Sequence, residues 1–103
     1  MTYAHVVDVA APVELYDALH AEIVRASAGT VDGLLVHLGR ATATGFQVLE
    51  VWESRDHFER YNADVVLPTA GRLAGAADGP GLRQDVTEFD VHGLVLAGGN
   101  AVV

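Results

Sequence analysis

Between Phe46 and Tyr61 the chain reads FQVLEVWESRDHFERY, and within one residue a period of two gives way to a capped helix. Phe46, Val48, Glu50 and Trp52 fall on one side of a strand, and Gln47, Leu49, Val51 and Glu53 on the other, because successive strand side chains point to opposite faces. Ser54 then supplies an N-cap. Its hydroxyl is placed to accept from first-turn amides, Asp56 sits at the positive end of the helix dipole, and Phe58 and Tyr61 begin an apolar stripe. Neither face of the strand is simply polar, so both faces need cover.

The flanking segments follow the same logic. Residues 2–9 alternate Tyr3, His5, Val7 and Val9 against Ala4, Val6 and Asp8, which predicts a strand. Pro12 suits a first helical position, and Leu15, Tyr16, Leu19 and Ile23 recur at helical steps, so a helix is expected from about 12 to 27, with Gly29 as its stop. Gly33 to Arg40 reads as a second strand, joined to the third by a short turn over 41–45. The second helix should run from Ser54 to about 66 and end or kink at Pro68, with some helix over 69–74. Residues 75–81 read as a loop, and Arg83 to His92 as a fourth strand with Val86, Glu88 and Asp90 opposite Thr87, Phe89 and Val91. The apolar tail from Gly93 has a glycine break.

The order βαββαβ predicts one α+β domain over 1–103, a ferredoxin-like unit with both helices on one face of an antiparallel four-stranded sheet. The other face would expose a contiguous apolar patch, and a second copy is its simplest cover. A homodimer with sheets face to face, the tail reaching across, is therefore expected.

Composition narrows the chemistry. There is no cysteine, which removes disulfides, thiolate nucleophiles and thiolate-bound metal. All six basic residues are arginine, so no lysine is present for a Schiff base or a general base. A net charge of −8 argues against nucleic acid and against an anionic membrane surface. No apolar run approaches the ~18 residues needed to cross a bilayer. The start shows no basic segment followed by an apolar one, and a cytoplasmic protein is expected. Acid–base work falls to the histidines, carboxylates and tyrosines.

Among these, Glu50 lies between Val48 and Trp52 on a central strand. Paired with Arg40 across the hairpin, or with a partner chain, it is structural; unpaired, burial would raise its pKa and suit it to proton abstraction. His5, His37 and His92 lie on three different strands. In a 4-1-3-2 sheet order strands one and four are neighbours, which allows His5 and His92 to approach without fixing whether they meet, and no metal-ligand spacing is recognisable. His20 and His57 lie on helices and read as solvated. Trp52 and Phe58 read as core anchors or pocket walls, and Tyr61 as a phenol that, if buried, needs a partner.

The block EVWESRDHF, Glu50 to Phe58, resembles the antibiotic biosynthesis monooxygenase family of dimeric α/β barrel proteins, which carries a Glu-x-Trp strand end, a Ser or Asp cap, an acidic residue and an aromatic or aliphatic anchor. The resemblance implies a pocket between the sheet and the second helix. Positions used by heme-degrading relatives match His5, Tyr61 and Gly71 here, and a glycine cannot ligate iron, so heme degradation is disfavoured. The two helix histidines of quinol-type members match Tyr61 and Val66. What the resemblance implies is a cofactor-free monooxygenase acting on a small aromatic or quinol-like compound. In that reading His5 or Glu50 is the base, Tyr61 a donor to the oxyanion, and His37, Trp52, Phe58 and His92 line the substrate pocket. The alternative is a non-catalytic dimeric barrel that binds a small ligand or partner.

Overall fold

A computed structural model describes residues 2–74, 83–96 and 98–101. The elements run β1 (Tyr3–Val9), α1 (Val13–Ala26), β2 (Leu34–Thr42), β3 (Gly45–Trp52), α2 (Arg55–Tyr61), a π-helical segment (Asn62–Val66), α3 (Leu67–Ala74) and β4 (Gln84–Phe89). A small hairpin, β5 (Val95–Leu96) and β6 (Asn100–Ala101), follows. It turns at Gly98 and Gly99, both at the positive φ that glycine adopts without a Cβ penalty. The expected loop over 75–81 lies outside the described residues.

The four long strands form one antiparallel sheet in the order β2-β3-β1-β4, the 4-1-3-2 order expected for a ferredoxin-like α+β fold. Register decides which residues share a face. His5 stands opposite Glu50 on one side and Glu88 on the other, and His37 stands opposite Glu50, so one row crosses all four strands as His37, Glu50, His5 and Glu88. A bulge between Leu34 and Val36 places an extra residue in β2 just before His37.

That row lies on the helix-covered face. Trp52, Phe46, Val9 and His5 are buried there, with Phe58 and Tyr61 from the second helical run and Tyr16 from α1 packed over them. The opposite face carries Val6, Leu49, Leu38 and Phe89; Leu38 is 55% and Phe89 39% exposed, as expected of a sheet with helices on one side only.

Two boundaries differ from the reading of the sequence. β4 ends at Phe89, opposite Ala4; by the same register Asp90 falls opposite Tyr3, the first residue of β1, and Val91 and His92 lie past the start of that strand. The second helical run does not end at Pro68. The π segment lengthens the turn before it, with the Leu67 amide bonded to the carbonyl of Asn62, and α3 continues through the proline to Ala74. A π turn in front of a proline relieves the usual clash with the carbonyl one turn back. Thr69, on α3, is 1% exposed.

Candidate functional site

Glu50 is where the elements converge. It sits mid-strand in β3 with its carboxylate turned under the helices, and three N–H donors reach it. Oε1 accepts from His5 Nε2 at 3.1 Å and from Trp52 Nε1 at 3.2 Å, and Oε2 from His37 Nδ1 at 2.6 Å. Burial alone would favour the neutral acid. The hydrogen bonds from His37 and His5 outweigh it and bring the pKa down to about 2. Glu50 is therefore an ionised, acceptor-only group.

That fixes the protons of both histidines. Each must present an N–H to the carboxylate, which leaves Nδ1 of His5 and Nε2 of His37 as acceptors when the rings are neutral. A tyrosine hydroxyl meets each one: Tyr3 at 3.3 Å from His5 Nδ1 and Tyr16 at 2.8 Å from His37 Nε2. The result is two Tyr–His–Glu arms that share one carboxylate. The arrangement has the logic of a catalytic triad, in which a carboxylate sets the tautomer of a histidine that accepts from a hydroxyl.

Packing holds both arms. Phe58 sets its ring edge-on to His5 at 4.6 Å and stacks on Tyr3 at 5.4 Å. Tyr16 lies over β2 where Gly39 leaves room, since a Cβ at that position would overlap its ring. On the same helix face, one turn on, His20 stacks on Tyr16 at 5.3 Å and on His37 at 5.2 Å, each with planes 12° apart. Tyr61 packs on Trp52 at 5.1 Å. Burial and then the Glu50 charge push its phenol up to about 12, and the same two effects raise Tyr16.

Of the residues singled out in the sequence, His5, Glu50, His37, Trp52, Phe58 and Tyr61 meet in this one cluster. Some expectations need correction. Glu50 is not a base with a raised pKa, because two histidines hold it ionised; nor does it pair with Arg40, which turns to the other face and donates to Gln47 at 2.8 Å. His92 is exposed beyond the end of β4, and the β4 residue opposite His5 is Glu88. The depression between the sheet and the second helix lies at the start of that helix, lined by Tyr3, Ser54, Arg55 and Asp56, and does not include Trp52, Phe58 or Tyr61 in its lining. Trp52 is wholly buried, and of the two surface depressions described one borders the cluster at Tyr3 and Arg55 while the other lies beside Pro12 and Gly45. His57 is half-buried rather than solvated, bonded to the Ser54 hydroxyl at 2.6 Å and lying against Gly33, while Ser54 accepts from the His57 amide as the cap requires.

Tyr3 and Tyr16 were missed as site residues. The signals were a glycine inside β2, which marks a close approach, and the four-residue spacing of Tyr16 and His20, which puts them on one helix face. Among the described residues no group of three or more histidines or carboxylates is arranged to hold a metal ion.

No family model and no curated protein matches the chain. Solved structures do. The cofactor-independent oxygenase SnoaB from Streptomyces nogalater is 18% identical with a TM-score of 0.57, over 87% of this chain and 90% of that one. Rv0793 from Mycobacterium tuberculosis is 18% identical with a TM-score of 0.57, over 84% and 93%. A candidate antibiotic biosynthesis monooxygenase from Caulobacter crescentus is 14% identical with a TM-score of 0.60, over 87% and 91%. The row of paired residues is thus carried on a known scaffold, and the fold of this chain is the ferredoxin-like fold of the antibiotic biosynthesis monooxygenase structures.

Proposed function

We propose that the protein is a cofactor-independent oxygenase of the antibiotic biosynthesis monooxygenase family, acting on a small aromatic or quinol-like compound. The observation that carries this reading is the ionised Glu50 with a histidine on each oxygen and a tyrosine hydroxyl on each histidine. Such an arm takes a proton from an acidic hydroxyl and stabilises the imidazolium that results. The electron-rich anion left on the substrate then reacts with molecular oxygen. For an anthrone the balance is one methylene and one O₂ giving one carbonyl and one water, with the abstracted proton returned to the water. Oxygen uptake with a panel of anthrones and hydroquinones tests the reading. Uptake that is lost in Glu50→Gln supports it, and no uptake with any of them rejects it.

A second reading is a non-catalytic barrel that binds a small ligand. It is favoured by the satisfied hydrogen bonding of the interior, where no buried side-chain nitrogen or oxygen among the described residues lacks a partner. Native mass spectrometry of protein from its own host separates the two. A retained molecule recovered unchanged supports binding alone, and the same molecule recovered oxidised supports catalysis.

In both readings the protein is a cytoplasmic homodimer. The apolar face with Val6, Leu38, Leu49 and Phe89 is the surface on which a second sheet would pack, and a net charge of −8 disfavours nucleic acid and anionic membranes as partners. The position matched to an iron-binding histidine is Gly71, exposed on α3 with open space where a side chain would start, and heme degradation stays disfavoured.

A further inference from the structure

The two arms on Glu50 are alike in composition and unlike in geometry. On one side the contacts are 2.6 Å from His37 to Glu50 and 2.8 Å from Tyr16 to His37; on the other they are 3.1 Å and 3.3 Å. The His37 side chain is 25% exposed and that of His5 only 3%. Phe58 closes the His5 side, edge-on to the imidazole and stacked on Tyr3. Tyr16, His37 and His20 instead lie nearly parallel, within 13° of one another, and His20 at the outer edge of this stack is exposed.

We propose that Tyr16 and His37 form the arm that meets a ligand, taking the proton of an acidic hydroxyl carried on a flat ring, while Tyr3 and His5 brace Glu50 from the closed side. A planar ligand stacks where the Tyr16–His20–His37 face is already planar, and its hydroxyl reaches the Tyr16 oxygen. That oxygen, donating its own hydrogen to His37 Nε2, has lone pairs free to accept. The ligand's O–H bond breaks as its proton passes to Tyr16, and the Tyr16 proton passes to His37. Tyr16 ends neutral, the ligand anionic, and His37 as an imidazolium against the Glu50 carboxylate.

The depression beside Tyr3, about 580 Å³, is the competing entrance. It suits an anion poorly. Asp56, Glu88 and Asp90 line it, and its one cation, Arg55, is already paired with Glu88 at 2.8 Å and Glu59 at 3.1 Å while lying over the Tyr3 ring at 5.1 Å. A ligand that gains negative charge there faces carboxylates.

The inference deepens the oxygenase reading by naming its working arm, but its test needs no turnover. 4-Nitrophenol carries an acidic hydroxyl on a flat ring and absorbs near 400 nm only when ionised. Titrated below its own pKa into the full-length protein, it is expected to bind with a gain of the anion band. Tyr16→Phe, which keeps the ring over Gly39, should weaken binding at least tenfold and abolish the band, and Tyr3→Phe should weaken it threefold or less. Long-range ¹H–¹⁵N spectra of the histidine rings give a second readout. Nitrophenol should shift His37 Nε2 before His5, and Tyr16→Phe should remove the hydrogen-bond shift of that nitrogen with the Nδ1–H tautomer intact. The assignment is overturned by no binding, by binding without the band, or by a larger loss in Tyr3→Phe than in Tyr16→Phe. If nitrophenol behaves as expected and no anthrone or hydroquinone consumes oxygen, the arm stands and the oxygenase reading falls.

Discussion

The ring of Tyr16 rests on the backbone of Gly39, two strand positions from His37 in the row that crosses Glu50, and it does so only because position 39 has no Cβ. Gly39→Ala should therefore push Tyr16 off β2 and lengthen its contact with His37. The overlap predicts a loss of about 1–3 kcal/mol, typical of overpacking. Chemical denaturation measures the loss. The His37 Nε2 resonance in the same variant should move toward that of Tyr16→Phe.

The low pKa of Glu50 makes stability depend on pH in a defined window. Its folded value, about 2, lies below the ordinary 4.5, so its contribution is fully present above pH 4.5 and fades as pH falls toward 2. A shift of that size corresponds to about 3 kcal/mol. Denaturant midpoints of the protein and of Glu50→Gln, compared from pH 7 to pH 2.5, should converge at the acid end. A constant gap across that range would mean that the carboxylate charge contributes nothing.

The phenols give the mirror image on the alkaline side. Burial leads in raising Tyr3 and Tyr61 to about 12, and it raises Tyr16 as well; these are all three tyrosines of the chain. A raised folded pKa gives stability that is present below pH 10 and lost as pH climbs toward 12. Tyrosinate absorbance at 295 nm should be lower at pH 10 than that of free phenols, which are half ionised there, and should rise together with unfolding.

Trp52 is the single tryptophan, wholly buried, and its indole N–H donates to Glu50. Its emission should be blue-shifted and insensitive to iodide. Trp52→Phe removes a hydrogen bond to a charged group together with part of a ring, and should cost about 2–4 kcal/mol. The same variant should shift the His5 Nε2 resonance, because both groups share Oε1.

On the uncovered sheet face, Leu38→Glu or Leu49→Glu places a charge in the expected apolar contact between two copies. Light scattering should report a dimer for the native chain and a monomer for either variant. A native monomer at micromolar concentration would reject the face-to-face assembly.

How much of this the sequence carries differs from element to element. The strand-to-helix junction at Ser54 and the four alternating strands were legible because periods of two and 3.6 are local properties. The cluster at Glu50 was legible only as a list of residues. Joining His5 to Glu50 and Glu50 to His37 requires the registers of two strand pairs and the bulge ahead of His37, none of which a single strand's pattern encodes. The spacing of Tyr16 reads as part of an apolar stripe, which hides its hydroxyl, and its seat on Gly39 belongs to another element. His92 shows the opposite error, alternation continuing past the point where β1 has a residue to offer.

The π segment from Asn62 to Val66 acts as a phase adjuster for the longest helical run. Spreading one extra residue over its turn sets α3 back by about one residue's rotation, roughly 100° at 3.6 residues per turn, relative to an uninterrupted α-helix. Thr69 faces inward on that shifted phase. Segment length, more than sequence, then keeps the two halves of the run in step. A chain shortened by one exposed residue, such as Ala63, can present Phe58, Tyr61 and Thr69 to the same neighbours through a plain α-helix, whereas a full-length chain straightened into α geometry would swing Thr69 out of the core.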